Sequence, residues 1–130
     1  MKRLRVMLAE DHPLIREVIQ RLLAEEYELA GTVERGDQLL PEALRVRPDI
    51  IVLDVSMPGL SGLQALPGLR AELPECCLIV LTVQGSALYR REAFQRGADG
   101  FVVKGRAFTD LLPAVEDALE AKMEREKRRA

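Results

Sequence analysis

The sequence predicts an α/β fold, a doubly wound parallel sheet of five strands with helices on both faces. Three observations carry it. Apolar runs of strand length alternate five times with segments of helical period, the pattern of repeated βα units. The runs at 4–9, 50–54 and 78–82 are nearly continuous in apolar residues, as strands covered on both faces must be. Proline and glycine punctuate the boundaries between the segments.

The first strand spans about 4–9, and Pro13 suits the first turn of a helix over 14–25. That helix carries Leu14, Val18, Ile19, Leu22 and Leu23 on one inward stripe. Residues 27–33 form the most polar strand, which places it at a sheet edge. Gly36 and Asp37 open a second helix, which runs through Arg47 with Leu39, Leu40, Ala43 and Leu44 inward. Pro48 and Asp49 stop it ahead of the third strand, 50–54. Pro58, Gly59 and Gly62 mark a loop before a helix over 63–73, which Pro67 is expected to shorten or bend. The fourth strand is 78–82. A helix over 86–95 ends at Gly97, a glycine suited to the left-handed position past a helix. The fifth strand is 100–104, and the last helix runs from about Phe108 into the tail. Strands one, three and four, the most apolar, belong at the centre of the sheet.

A length of 130 residues bounds the chain to one domain with a core of its own. The expected division is a domain over 1–120 and a charged tail over 121–130, either a solvated helix end or a linker to a further domain. A net charge of −2 gives no reason to expect nucleic-acid binding by the domain as a whole. No Trp and 4% aromatic residues argue against a base-stacking surface. No apolar run has membrane-spanning length, and Met1-Lys2-Arg3 leads into a strand without a signal sequence, so the chain is expected to be cytoplasmic. The two cysteines, Cys76 and Cys77, are adjacent and read as small apolar fillers rather than a disulfide or a zinc site.

The chemistry concentrates at strand ends, where open α/β sheets place their sites. Glu10 and Asp11 follow the first strand, Asp54 ends the third, Thr82 the fourth and Lys104 the fifth. Three carboxylates suit Mg²⁺, which takes oxygen ligands and keeps several waters. Taken alone, Glu10 and Asp11 also fit a solvated loop or a helix cap; Asp54 at the neighbouring strand end favours the metal. Asp54 can attack a phosphoryl group to form an aspartyl phosphate. Lys104 can pair with phosphoryl oxygens and Thr82 can donate to another. His12 reads as a loop residue setting the turn before Pro13. Gly59-Leu60-Ser61-Gly62 lacks the Lys-Ser/Thr that an NTPase phosphate loop requires.

These elements together resemble the receiver domain of a two-component response regulator over residues 4–120. The resemblance rests on Glu10-Asp11, Asp54 with Met57-Pro58 and Gly62, Leu81-Thr82, Ala93 with Gly97-Ala98-Asp99-Gly100, and Phe101-Val102-Val103-Lys104. The stretch Glu10-Asp11-His12-Pro13-Leu14-Ile15-Arg16 and the pair Lys104-Gly105 are similar to the subclass that carries a C-terminal helix-turn-helix output domain (LuxR/NarL type). The resemblance implies a flavodoxin-like (βα)5 three-layer sandwich with strand order 2-1-3-4-5. It implies that Asp54 accepts a phosphoryl group from a sensor histidine kinase. Glu10, Asp11, Asp54 and the backbone carbonyl of Ser56 would hold Mg²⁺, and Lys104 and Thr82 would contact the phosphoryl group. Thr82 and Phe101 would form a switch that shifts the face made by the fourth and fifth strands and the last two helices. The implied partners are the kinase and a second copy of the chain, with DNA reached only through a C-terminal domain outside this sequence and no membrane partner. Val83, where the family usually has a smaller residue, implies altered phosphotransfer and hydrolysis rates. Gly105 stands where many members have a cis proline.

Two other classes of function compete. A stand-alone receiver would be the same phosphorylatable switch acting by protein contact, whereas a phosphorylation-independent interaction module would keep the fold without needing the full set of site residues. An aspartyl-phosphate phosphohydrolase needs a second acid two residues after Asp54, where Ser56 stands. The chain is therefore expected not to be an enzyme beyond phosphoryl transfer to, and hydrolysis from, its own Asp54.

Overall fold

The structure, a computed structural model, describes residues 3–83 and 85–129; Met1 and Ala130, the ends of the expected domain and tail, lie outside the described residues. The chain runs β1 (Arg5–Ala9), α1 (Pro13–Ala24), β2 (Glu28–Val33), α2 (Gly36–Val46), β3 (Ile50–Asp54), α3 (Gly62–Glu72), β4 (Cys77–Thr82), α4 (Ala87–Gln95), β5 (Gly100–Val103) and α5 (Ala107–Arg129). A 3-10 turn, Lys104–Arg106, joins β5 to α5. The strands form one five-stranded parallel sheet in the order β2-β1-β3-β4-β5, the flavodoxin-like order. The polar second strand lies at an edge and the three most apolar strands lie inside. No helix among the described residues is long and apolar enough to cross a membrane.

Alternation along the strands builds two cores. Met7, Ala9, Ile51, Leu53, Leu78 and Val80 face α2 and α3, while Val6, Leu8, Ile50, Val52, Ile79 and Leu81 face α1 and α5. Side chains of successive strand residues point to opposite faces, so a run apolar at every position is what covers both.

Local chemistry sets the helix ends. The His12 Nδ1 accepts from the Ile15 N–H at 3.4 Å and Pro13 stands at the helix start, so His12 does set that turn. Ser61 and Gln64 cap α3 reciprocally, at 3.2 and 3.1 Å. Past α4, Gly97 takes φ 116°; its N–H reaches Phe94 O and the Ala98 N–H reaches Ala93 O, a pairing that satisfies the last carbonyls of the helix. Helix α2 differs. Its N-cap, Arg35, makes no side-chain capping bond; the Gly36 N–H instead donates to Pro58 O at 3.0 Å, in the loop after β3.

Two expectations need correction. Of the two effects expected of Pro67, shortening is ruled out: α3 runs 11 residues through it. A proline at 67 leaves Leu63 O without its helical donor, and Arg96 Nη1 reaches that carbonyl at 3.4 Å. Leu14 and Val18 do not point inward: they are 70% and 41% exposed, beside Phe108 at 73%. The inward stripe is Ile15, Ile19, Leu22 and Leu23; Leu14 and Val18, one residue earlier in the same turns, are turned to one side of it. Only the later stripe residues, Ile19, Leu22 and Leu23, are buried. Leu14, Val18 and Phe108 thus rim a shallow apolar depression that also touches Lys104.

Cys76 and Cys77 are buried free thiols. Burial pushes the Cys76 thiol up to about 12 from an ordinary 9 and raises Cys77 as well. Because the thiolate is the nucleophile, that shift lowers its population at Cys76. Alkylation at mildly alkaline pH is therefore expected only after denaturant is added; rapid labelling of the native protein would contradict this packing.

Candidate functional site

The carboxyl ends of β1, β3 and β5 bring together Glu10, Asp11, Asp54 and Lys104. Glu10 is fully buried and anchored through its backbone, whose N–H donates to Val33 O at 3.0 Å. Its Oε2 accepts from the His12 N–H at 3.1 Å. Its Oε1 lies 2.8 Å from Lys104 Nζ in an ion pair and has no other hydrogen-bond donor. Asp54 is 2% exposed. Its Oδ1 accepts from the Ser56 N–H at 3.1 Å and its Oδ2 from Lys104 Nζ at 3.0 Å. Asp11 is exposed at the mouth, and one oxygen each from Glu10, Asp11 and Asp54 lies within 4.8 Å of the others.

Three carboxylates face one amine, which leaves an excess of negative charge in a pocket partly removed from water. Burial raises the Glu10 pKa above its usual value, partly offset by Lys104 and the His12 N–H, with Asp54 adding to the rise. Burial by itself would depress Lys104; its contacts with Glu10 and Asp54 overcome this and raise it. The donor set is all oxygen, one buried carboxylate oxygen has no hydrogen-bond donor besides Lys104, and the exposed acid opens the cluster to water. Those features fit a hard divalent cation that retains water ligands.

The other expected residues sit around this cluster. Thr82 is 2% exposed; the register pairs it with Val103 and pairs its predecessor, Leu81, with Asp54. Val83, next in sequence, is 69% exposed. Ser56 follows Asp54 in the loop and contacts it through the amide above. Phe101 is not part of the acidic cluster: it is half-buried against the α2–α3 core, with the Arg90 guanidinium 5.9 Å from its ring centroid and 5.1 Å from that of Phe94.

Arg16 enters the sequence reading only as the end of the stretch that resembles the subclass, with no role of its own. Its Nη1 donates to Glu10 O at 3.1 Å and its Nη2 pairs with Glu34 at 3.0 Å. It ties the acid-bearing segment to α1 and to the end of β2. Beyond that stretch, its signal is a cation one turn into a helix that starts beside the acids, which is common on solvated helix faces.

Comparison with known proteins agrees with this arrangement. The family described as response regulator receiver domain matches residues 6–116. A nitrate/nitrite response regulator protein homolog of Haemophilus influenzae is 37% identical over 116 residues, which cover 88% of this chain and 56% of that protein. The nitrate/nitrite response regulator protein NarL of Escherichia coli is 32% identical over 120 residues, covering 91% and 56%. The chain thus spans little more than half the length of these relatives. Among solved structures, the signal receiver domain of a NarL response regulator from Mycobacterium tuberculosis superposes with a TM-score of 0.85 at 28% identity, covering 92% of this chain and 98% of that one. With its strand order, its acidic strand ends and these relatives, the chain belongs to the response regulator receiver domains of two-component signalling.

Proposed function

We propose that this domain is a phosphorylation-dependent switch in which Asp54 takes a phosphoryl group from a phosphohistidine of a sensor kinase. One observation carries the reading: a buried carboxylate, Asp54, is held between a lysine amine and a backbone amide beside two further carboxylates, at the open end of the sheet.

An Asp54 carboxylate oxygen attacks phosphorus, the phosphorus–nitrogen bond of the donor breaks, and the imidazole leaves with the electron pair and takes a proton. Glu10, Asp11, Asp54 and the Ser56 carbonyl would hold Mg²⁺, which when bound neutralises charge on the carboxylates and on the incoming phosphoryl oxygens. Lys104 already lies against Asp54 and can follow the new dianion as a point charge. Thr82, at the adjoining strand end, donates its hydroxyl to a phosphoryl oxygen. Drawing Thr82 toward the phosphoryl group opens room for Phe101 to turn inward, which biases the β4–α4–β5–α5 face. The apolar rim of Leu14, Val18 and Phe108, bordering Lys104, supports a kinase docking beside the acceptor. The relatives' greater length supports transcription control through an output domain outside this sequence, which would make the DNA contacts.

The test is the intact mass after incubation with Mg²⁺ and acetyl phosphate, followed by borohydride reduction and peptide mapping. One added phosphoryl group is expected before reduction, and after it, with phosphate released by hydride attack on the acyl carbon, homoserine in place of aspartate at position 54. A folded protein that takes up none from either acetyl phosphate or a phosphorylated histidine kinase would leave a phosphorylation-independent interaction module, with the exposed Val83 at the mouth as the feature that favours it.

A further inference from the structure

The loop between β3 and α3 carries the acceptor's immediate surroundings, and its shape is held from three sides. At its start, the Val55 N–H donates to Leu81 O at 3.1 Å; at its end, the Gly62 N–H donates to Val55 O at 2.9 Å. The third hold comes from a distant segment: the Gly36 N–H donates to Pro58 O at 3.0 Å. Position 36 has no room for a side chain, since a Cβ there would lie 1.4 Å from Leu60 O and 2.4 Å from Leu60 C. These are backbone atoms and cannot rotate away. From the loop side, Gly59 has φ +83°, and a Cβ on it would lie 2.7 Å from Asp37 Oδ1 and 3.0 Å from Arg35 Nη2.

The contact serves both partners. Helix α2 lacks a side-chain cap, and its first N–H is satisfied by the loop. The loop gains a fixed point at Pro58, between Ser56 and Gly62. Since Ser56 binds Asp54 Oδ1 through its N–H, a shift of residues 58–60 is passed to the acceptor within two residues.

We propose that Gly36 is a positioning residue for the phosphoacceptor site: the bare backbone at the start of α2 sets where the loop places the Ser56 carbonyl and amide around Asp54. Gly36 touches neither metal nor phosphoryl group and acts through the loop. This inference rests on the reading of Asp54, Glu10 and Asp11 as a Mg²⁺ and phosphoryl site.

The test compares the full chain with Gly36→Ala and with Val46→Ala, a buried change at the opposite end of the same helix. Calorimetry reads Mg²⁺ affinity without phosphodonor, ¹⁵N–¹H spectra read the metal-free backbone, and labelling with acetyl phosphate reads the reaction. Gly36→Ala is expected to weaken Mg²⁺ binding about tenfold, as loss of an orienting contact behind a metal ligand does. It should also move amide signals of residues 55–62 and slow labelling. Val46→Ala, matched for its loss of thermal stability, should keep wild-type Mg²⁺ affinity. Alanine is the better helix former, so a purely local effect on α2 would not weaken the site. If Gly36→Ala does not fold, Gly59→Ala decides: it presses on side-chain atoms of Asp37 and Arg35 rather than on backbone, and should weaken Mg²⁺ binding in the same direction. Unchanged Mg²⁺ affinity in the folded glycine variant, or an equal loss in Val46→Ala, overturns the proposal. A wild type that binds Mg²⁺ but takes no phosphoryl group defeats the functional reading alone, and the Mg²⁺ comparison still decides Gly36.

Discussion

Asp54→Asn is expected to take up no phosphoryl group from acetyl phosphate or from a kinase while keeping the fold. The amide oxygen is a poor nucleophile, and no other carboxylate in the cluster is placed like Asp54. Asp11 is exposed at the mouth, and Glu10 is fully buried with one oxygen accepting from the His12 N–H and the other against Lys104. The fold survives for a reason that can be counted in bonds. Asp54 accepts from two donors, the Ser56 N–H and Lys104 Nζ. An asparagine has one acceptor oxygen, so one of these donors loses its partner, a cost of about 1 kcal/mol. Against that, a cluster of three carboxylates facing one amine loses a negative charge. Mg²⁺ affinity should drop, since two carboxylates remain of three. Mass spectrometry, thermal melting and calorimetry check the three parts separately; a phosphoryl adduct retained in a folded Asp54→Asn protein would remove Asp54 from its role.

The fold was legible in the sequence because each central strand is a nearly unbroken apolar run, polar only at an end. A strand such as Ile50–Asp54 has no polar face to turn to water, so it must be covered on both sides. The site was legible for a related reason: Glu10, Asp54 and Lys104 interrupt or end apolar runs, and a charge there lands at a sheet end. What the sequence conceals depends on contacts between segments far apart. Leu14 and Val18 have the spacing of buried residues, but Ile15 and Ile19 in the same turns take the inward positions and leave them at the side of the stripe. Lys104 was expected to face a phosphoryl group; that it also pairs with fully buried Glu10 follows from where β1 and β5 end in space. Gly36 looks like an ordinary helix start, and its meaning lies in Leu60, which only the folded chain brings against it.

Lys104→Met is expected to give the largest stability loss of any site variant, with a size that depends on pH and Mg²⁺. The lysine side chain is 14% exposed and lies against Glu10 and Asp54, at 0% and 3%. Removing it leaves two buried carboxylates without a cation, which costs about 3 kcal/mol at neutral pH by comparison with other broken buried pairs. Glu10 is already raised by burial, with Lys104 among the influences that hold it down; without Lys104 it rises further. A carboxylate raised in the folded state favours folding below its unfolded value and loses that contribution as pH rises through its folded value. The variant's deficit should therefore be small in acid, below the ordinary carboxylate range, and grow toward neutrality. Lys104 itself is raised, so its stabilising contribution in the wild type is present below the ordinary lysine value and fades as pH climbs through its folded value; the two proteins should converge again in alkali. Mg²⁺ should restore much of the loss at neutral pH, because a cation held by Glu10, Asp11 and Asp54 replaces the missing charge. Denaturant titrations across pH, with and without Mg²⁺, measure this directly, and a deficit independent of both would show that Lys104 does not neutralise the cluster. The same variant keeps its acceptor, so with Mg²⁺ it should still be labelled, more slowly. What it should lack is the conformational response: with no amine to follow the new phosphoryl group, amide signals across β4, α4, β5 and α5 should stay near their unphosphorylated positions, and a wild-type shift pattern would assign the switch to Thr82 alone.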